Sequence, residues 1–388
     1  APASPCPSDE RYWDEHRPAF WRWQRHRAEA AWDLALQFPD WPPQTFSEAA
    51  RLAGIGLRWM LRHPDPGIWL DALLPAGVHL RQVGQGLRDL VDAQLLISAQ
   101  ATSEKVYSLY AAAALDLPNR GAAHVIGGMG GVASTLVQQI RHHGGDVRFK
   151  AEVTQIASSK NGMWRLDIKR KRSLQARSVI CDLPVENIRR LLGKKTRKDR
   201  NEIPADGWGA FMLHLGVDER VFPNDMALHH QIIGSRPFGE GNTVFVSISP
   251  EWDDSRAPQG KRALTVSSHT RLEPWWRIFE SDKDAYEQRK QEYTERMLLQ
   301  VERILPQIRQ GISLLLPGTP VTFQRFTGRA RGWVGGYPQT NLFRARAPRL
   351  APGLWVVGDS IFPGQSMPAV ALGGVRVAKK VAAEFVEL

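Results

Sequence analysis

Leu354-Trp-Val-Val-Gly-Asp-Ser-Ile-Phe-Pro-Gly-Gln-Ser-Met-Pro-Ala-Val-Ala-Leu-Gly-Gly-Val-Arg-Val-Ala378 is the stretch on which the reading of this chain turns. Leu354 to Val357 is an apolar run of strand length, and it leads directly into Gly358-Asp359. Glycine at a strand's end lets backbone approach a ligand closely. Asp359 is thereby placed at the carboxyl edge of a sheet, where open α/β folds bind their ligands. Pro368 suits the first position of a helix running to about Val386, since its missing N–H costs nothing there. The N–H groups of the first turn, around Met367, Ala369 and Val370, then suit a partly negative heteroatom. Gly373, Gly374 and Ala378 give that helix a small-residue face to press against the sheet. A strand, turn and helix with no ligand is the bland alternative, but three such features within one segment favour a bound cofactor.

Working outward, 388 residues are long enough for two or three domains. An apolar share of 43% and a charged share of 23% exclude wholesale disorder and a collagen-like chain. The longest near-apolar run, Leu52 to Trp69, is broken by Arg58, Arg62, His63 and Asp65, so no transmembrane helix is expected. Cys6 and Cys181 are too few for a disulfide framework and point to a reducing compartment. The first residues carry neither a basic nor an apolar leader pattern. The net charge of +11 favours an anionic partner such as a phosphate-bearing ligand, a membrane surface or nucleic acid.

From Asp9 to Leu74 the spacing predicts helices, interrupted at Pro42-Pro43 and Pro64 to Gly67. Seven tryptophans precede residue 70, among Arg17, Arg22, Arg25, Arg27, Arg51, Arg58 and Arg62. They either pack a helical core, the commoner use, or meet an apolar phase while the cations stay wet. Helices are expected at Leu87 to Gln100 and Ala111 to Leu117. Another is expected at Val132 to His142, opened by Gly127-Gly128-Met129-Gly130-Gly131 and closed by Gly144-Gly145. Val147 to Ala157, Met163 to Lys169 and Leu174 to Leu183 read as a β-meander turning at Asn161-Gly162. Further strands are expected at 210–215, 243–249 and 263–268. A helix capped by Ser281 is expected to run to Ile308. The blocks of strands and helices indicate a mixed α/β architecture with one domain interrupting another.

On these residues the sequence resembles the phytoene desaturase branch of the flavin-containing amine oxidase superfamily, over roughly residues 68–385. The likeness runs through the Gly127 cluster, His143 to Ile156, Ser178 to Pro184 and Gly318 to Pro338. The tract from Trp208 to Trp276 is most similar to carotenoid C-3',4' desaturases of cyanobacteria. The resemblance implies an α+β substrate domain inserted in a Rossmann-like FAD domain. It divides the chain into a helical substrate- or membrane-facing region (1–118), an FAD-domain helix and meander (119–185), a substrate domain (186–310) and a return to the FAD domain (311–388). It also implies FAD held by Val153 at the adenine, by Gly358 and Asp359 at the ribityl-pyrophosphate, and by Met367, Pro368, Ala369 and Val370 at the pyrimidine end. The implied activity is removal of two hydrogens from a carotenoid polyene, at the cytoplasmic side of a membrane.

One part of the family pattern has no counterpart here. Nothing supplies the strand, Gly-x-Gly-x-x-Gly and helix that cradle a pyrophosphate, since Gly84-Gln85-Gly86 lacks the third glycine and follows no clear strand. The N-terminal part of the FAD domain is therefore expected to be missing. A carotenoid cis-trans isomerase or another flavin oxidase, or a cofactor-free module binding lipid or a partner, stay open. His142-His143 and His229-His230 share no face and predict no metal. Lys169 to Arg172 and Lys194 to Lys198 read as solvated runs, with no nucleic acid expected. Gly335-Gly336 reads equally as a close backbone approach to the cofactor or as an ordinary loop.

Overall fold

The computed structural model describes residues 17–386 apart from 122, 160, 195–206 and 342–344. Cys6, Trp13 and most of the Lys194 to Lys198 run lie outside the described residues. In chain order the helical start comprises α1 (Arg17–Ala35), α2 (Phe46–Arg62), α3 (Pro66–Asp71), α4 (Gln85–Ala99), α5 (Ser108–Asp116) and α6 (Gly128–His142). Then come β1 (Val153–Ser158), β2 (Trp164–Ile168), β3 (Leu174–Ala176), β4 (Val179–Cys181) and α7 (Val185–Leu191). The next stretch holds β5 (Trp208–Asp218), β6 (His229–Ile233), β7 (Thr243–Ile248), β8 (Lys261–Arg271), α8 (Leu272–Ser281) and α9 (Lys283–Val301). The chain continues with α10 (Ile308–Gly311), β9 (Ile312–Gly318), α11 (Pro320–Thr327), β10 (Arg349–Ala351), β11 (Leu354–Val356) and α12 (Met367–Val386). They form two compact units: Ala1–Gly121 with Glu152–Gly207 and Gly335–Leu388, and Ala122–Ala151 with Trp208–Val334.

In the first unit, α1, α4 and α5 close over Phe20, Leu80, Leu87, Val91, Leu95 and Leu115. Helix α2 starts because Thr45 Oγ1 accepts the Glu48 N–H at 3.2 Å while Glu48 reaches back to the Gln44 N–H at 2.6 Å, a reciprocal cap that satisfies two orphan donors. Asp65 caps α3 in the same way, accepting from Gly67 N–H at 2.8 Å. Strands β1, β2 and β3 form the expected antiparallel meander. The predicted strand Leu174 to Leu183 divides, however. Its second half, β4, leaves the meander and pairs in parallel with β11, matching Val179 to Leu354 and Cys181 to Val356. Val179 and Cys181 are buried with Leu354, Trp355 and Val356 in a core that also takes in Ile156 and Trp164 of the meander, with Ala176 of β3 packed against it. The expected start of β1 at Val147 is also too early. Asp146 and Arg148 form an exposed ion pair there, and pairing begins at Val153.

The second unit is built on an antiparallel sheet of order β6-β7-β8-β5-β9. Strands β5 and β8 pair along their whole length, from Trp208 with Arg271 to Asp218 with Lys261. Alternation buries Phe211, Leu213, Leu215, Val244 and Val266 against Trp275, Tyr293, Met297 and Val301 of α8 and α9. The helix expected from Ser281 to Ile308 instead starts at Lys283 and ends at Val301, and a separate helix, α8, finishes at Ser281. Ser281 Oγ donates back to Arg277 O at 2.8 Å. Asp282 is the true cap, its Oδ1 accepting from the N–H groups of Asp284 and Ala285, each at 3.0 Å. Sequence reading missed β6 and β9. Only Gly128 of α6 is buried, and Met129, Leu136 and Ile140 lie exposed along it.

His269 on β8 gives this unit a pH signature. Burial lowers its pKa to about 4, while an unfolded histidine titrates near ~6.5. Between those values the unfolded chain takes up a proton that the folded one refuses, so stability falls as pH drops from ~6.5 to about 4. Urea denaturation across that range should show the loss, and His269→Gln should flatten it.

Candidate functional site

The parallel pair of β4 and β11 ends at Asp182 and at Gly358-Asp359. Gly358 has a φ of +90°, and a Cβ there would lie 2.3 Å from Asp182 Oδ1, so a side chain at this strand end would need a strained backbone and a displaced Asp182 carboxylate. Gly336, with a φ of +68°, presses against the Asp359 carbonyl, where a Cβ would come within 2.3 Å of the oxygen. Gly335, with a φ of +77°, makes the same close approach to the side chains of Gln365 and Gln100. The Gly335-Gly336 pair therefore wraps the Asp359 to Gln365 turn rather than forming an ordinary loop. Both segments reach the end of α4: Gln339 N–H, just after the glycine pair, donates to Ala99 O at 3.0 Å, and Gln365 Nε2 of the turn donates to Ile97 O at 3.4 Å. Gln365 Oε1 is buried with no hydrogen-bond partner among the described residues.

The start of α12 differs from expectation in three ways. The helix begins at Met367, which puts Pro368 in the second position. Its first-turn donors are not all open. Ser366, at a φ of +94°, accepts the Ala369 N–H on Oγ at 3.3 Å, and Val370 N–H closes on Ser366 O at 2.9 Å. The inward face is also not the small-residue stripe. Gly373 packs on Ile361 and Phe362, but a side chain at Gly374 would meet nothing within 4 Å, and Ala378 is exposed. Gly373 is buried as expected, and the other buried residues of this helix, among those described, are Arg376 and Val377. Val153 sits on β1, packed against the core that contains β11 and Val377.

Arg376 is 5% exposed, and burial lowers its pKa to about 10. Its guanidinium donates to Pro39 O at 3.1 Å, Trp41 O at 3.0 Å and Phe362 O at 2.8 Å. One turn on, Lys380 bonds Glu48 and Asp40, the latter at 2.9 Å. The α1–α2 connection and the first turn of α2 are thus bound to α12 through charge-assisted bonds, the stronger kind. The visible signal was an arginine inside the apolar run Val375 to Val377, which sequence reading passed over.

Trp41 and Phe362, joined by that guanidinium, are two walls of a cavity of about 410 Å³, within the range of pockets that bury a drug-sized ligand. Its lining is almost wholly apolar, from Leu34, Trp59 and Met60 on one side to Ala113, Ala369 and Leu372 on the other. Gly56 of α2 lines it with nothing within 4 Å of its missing side chain. Tyr107 and Tyr110 also line it, and burial pushes both phenols well above their ordinary pKa. Tyr107, Phe362 and Pro363 are shared with a second, water-sized space of about 20 Å³ beside Asp359, Ser360 and Gly364. The apolar cavity and the Asp359 turn are therefore neighbours.

Residues 56–382 match the family described as flavin containing amine oxidoreductase. Prolycopene isomerase of Daucus carota is 27% identical over 316 residues, covering 76% of this chain and 50% of that protein. The 4,4'-diapolycopene oxygenase of a Methylomonas species is also 27% identical, covering 68% and 56%. The chain thus spans about half the length of the curated relatives it matches. A putrescine oxidase structure aligns with a TM-score of 0.59 at 15% identity, covering 100% of this chain and 78% of that one. That likeness shows the fold.

Alanine at Gly336 or Gly358 should destabilise the first unit by ~1–3 kcal/mol, because each combines a positive φ with a 2.3 Å clash. Thermal unfolding measures it, with Gly374→Ala, which meets open space, expected to be neutral or slightly stabilising.

Proposed function

We propose a function from one premise: this chain belongs to the flavin-containing amine oxidoreductase family. On that premise it is an FAD-dependent enzyme that acts on a carotenoid-like polyene. The observation that carries the reading is the large apolar cavity adjoining the Asp359 turn and the start of α12. The names of the two curated relatives, both concerned with lycopene-type polyenes, support the substrate class.

The residues present fit one end of such a cofactor. Asp359 stands at the carboxyl end of a parallel strand pair, with glycines at 336 and 358 that leave no side chain in the way. It is assigned the ribityl hydroxyls, and Met367 to Val370 are assigned contact with the flavin's pyrimidine edge, the N–H groups of Ala369 and Val370 being engaged by Ser366, with Val153 at the adenine. The phosphates lack a counterpart among the described residues, since no described strand runs into Gly-x-Gly-x-x-Gly. Bound there, the flavin supplies a two-electron acceptor that the side chains cannot provide.

The protein's own share is positioning and exclusion of water. Trp41, Trp59 and Leu372 hold a flat apolar chain in place. Tyr107 and Tyr110, neutral at ordinary pH like any tyrosine, are made still weaker acids by burial, so the wall offers no ready proton donor at those positions. This suits removal of hydrogen from an allylic carbon pair, a desaturation. Prolycopene isomerases among the relatives favour a second reading, in which the polyene is isomerised.

Two measurements test the proposal. Mass analysis of the polyene after incubation distinguishes desaturation, which loses two hydrogens, from isomerisation, which loses none. An unchanged polyene with unchanged geometry, in the presence of FAD, would refute both. Gly56→Phe should abolish polyene uptake by filling the cavity from a position with no clash. Its thermal stability should hold or rise, since glycine weakens a helix interior by about 0.5–1 kcal/mol.

A further inference from the structure

Tyr107 and Tyr110 are neighbours in the cavity wall, with ring centroids 5.7 Å apart, yet their hydroxyls differ. Tyr110 donates to Ser98 O at 3.3 Å. Tyr107 is 8% exposed, and its hydroxyl has no hydrogen-bond partner among the described residues. Buried phenols normally find one, and an unmatched buried donor is costly. Burial, with no hydrogen bond to offset it, pushes this phenol well above its ordinary pKa. The proton therefore stays on the oxygen, available for a hydrogen bond.

Loose placement does not explain the unmatched group. The backbone on either side is fixed: Ala76 N–H donates to Val106 O and Ser108 N–H to Leu74 O, each at 2.8 Å. Pro75 forms an isolated bridge with Tyr107 itself. Enclosure does not explain it either. Trp32 and Trp69 also belong to the lining and have indole nitrogens without partners, but those atoms are sealed inside the wall. The Tyr107 oxygen is not enclosed in that way, and its residue borders two open spaces, the apolar cavity and the water-sized one beside Asp359.

A second hydroxyl of the lining has the same need. Ser366 Oγ accepts the Ala369 N–H at 3.3 Å, while its own proton meets no acceptor among the described residues. Ser98, by contrast, is committed to Gln94 O at 2.9 Å. Both free protons of the wall require an acceptor. A guest hydroxyl would add one more proton to be matched, whereas a carbonyl oxygen brings two lone pairs and no proton.

We propose that the guest of the cavity is a polyene ending in a conjugated carbonyl, an aldehyde or ketone, and that Tyr107 selects it by donating to the carbonyl oxygen. This rests on the polyene reading above and narrows it to one end group.

The test uses three polyenes of one length, ending in an aldehyde, a primary alcohol or a methyl group. Each is titrated in detergent against the 388-residue chain, with quenching of tryptophan fluorescence as the readout. The aldehyde should bind tightest. Tyr107→Phe should weaken it roughly three- to tenfold and leave the methyl-ended polyene unchanged. Tyr110→Phe should preserve the ratio of aldehyde to methyl affinities. Bound to the parent chain, the aldehyde should absorb at longer wavelength than when bound to Tyr107→Phe, a signature that a packing role alone would not move. The melting temperature of ligand-free Tyr107→Phe should hold or rise, because removing an unmatched polar group is nearly neutral or stabilising.

An aldehyde that binds no tighter than the methyl-ended polyene, an alcohol that binds tightest, or an equal loss for all three in Tyr107→Phe would overturn the proposal and leave the polyene reading standing. A marked fall in melting temperature would also overturn it, assigning the hydroxyl to a water in the space beside Asp359. Binding of none of the three would sink the polyene reading itself, and this proposal with it.

Discussion

One buried cation organises the site. Arg376 sits inside an apolar helix and its guanidinium meets three backbone carbonyls, at Pro39, Trp41 and Phe362. A charge removed from water is costly unless its donors are matched. Satisfying Nη1 and Nη2 here forces the α1–α2 connection and the Asp359 turn onto the same face of α12, while Nε has no partner among the described residues. Both walls of the apolar cavity follow from that requirement. The nearby cluster of Lys380 with Glu48 and Asp40 extends the same tie by one helical turn. The apolar cavity and α12 are in this way parts of a single construction.

The sequence was most legible where local chemistry decides structure. The strand ending in Gly358-Asp359, the helix after it and the meander turning at Asn161-Gly162 were each readable from residue types within a few positions. Legibility failed where a distant partner decides. Nothing in residues 174–183 says that the last three strand residues abandon their hairpin neighbour, because β11, which draws them away, lies about 170 residues later. Ser281 and Asp282 are equally good caps on paper, and only the packing of α8 chooses between them. At the candidate site, Asp359 and the glycines could be named in advance. Arg376, Ser366 and the cavity could not, since their meaning comes from the α1–α2 connection that they meet.

The division of labour among the early apolar residues follows from side-chain shape. Tryptophan brings a large area and a polar N–H that usually finds a partner when buried: Trp59 Nε1 donates to Ala30 O at 2.7 Å and Trp23 Nε1 to Asp71 at 3.1 Å, whereas Trp32 and Trp69 Nε1 are buried with no partner among the described residues. Leucine has no such claim, and on α2 and α3 it is left to face outward. Composition alone could not make that assignment, because both residue types occur at helical spacing throughout the segment.

Helix α6 has a different kind of consequence. Most helical stability in proteins comes from packing one face, and an isolated helix of this length is marginal. With only Gly128 buried, α6 has little besides its own backbone ladder and the Gly127 N–H bond to Asp253 at 3.1 Å. The long pair β5 and β8 stands at the other extreme, fully paired and buried on one face. The second unit therefore carries a steep internal gradient of opening free energy. Amide protons of α6 should exchange by local fraying long before those of β5, and a protease would find its first cut there without the sheet having to open.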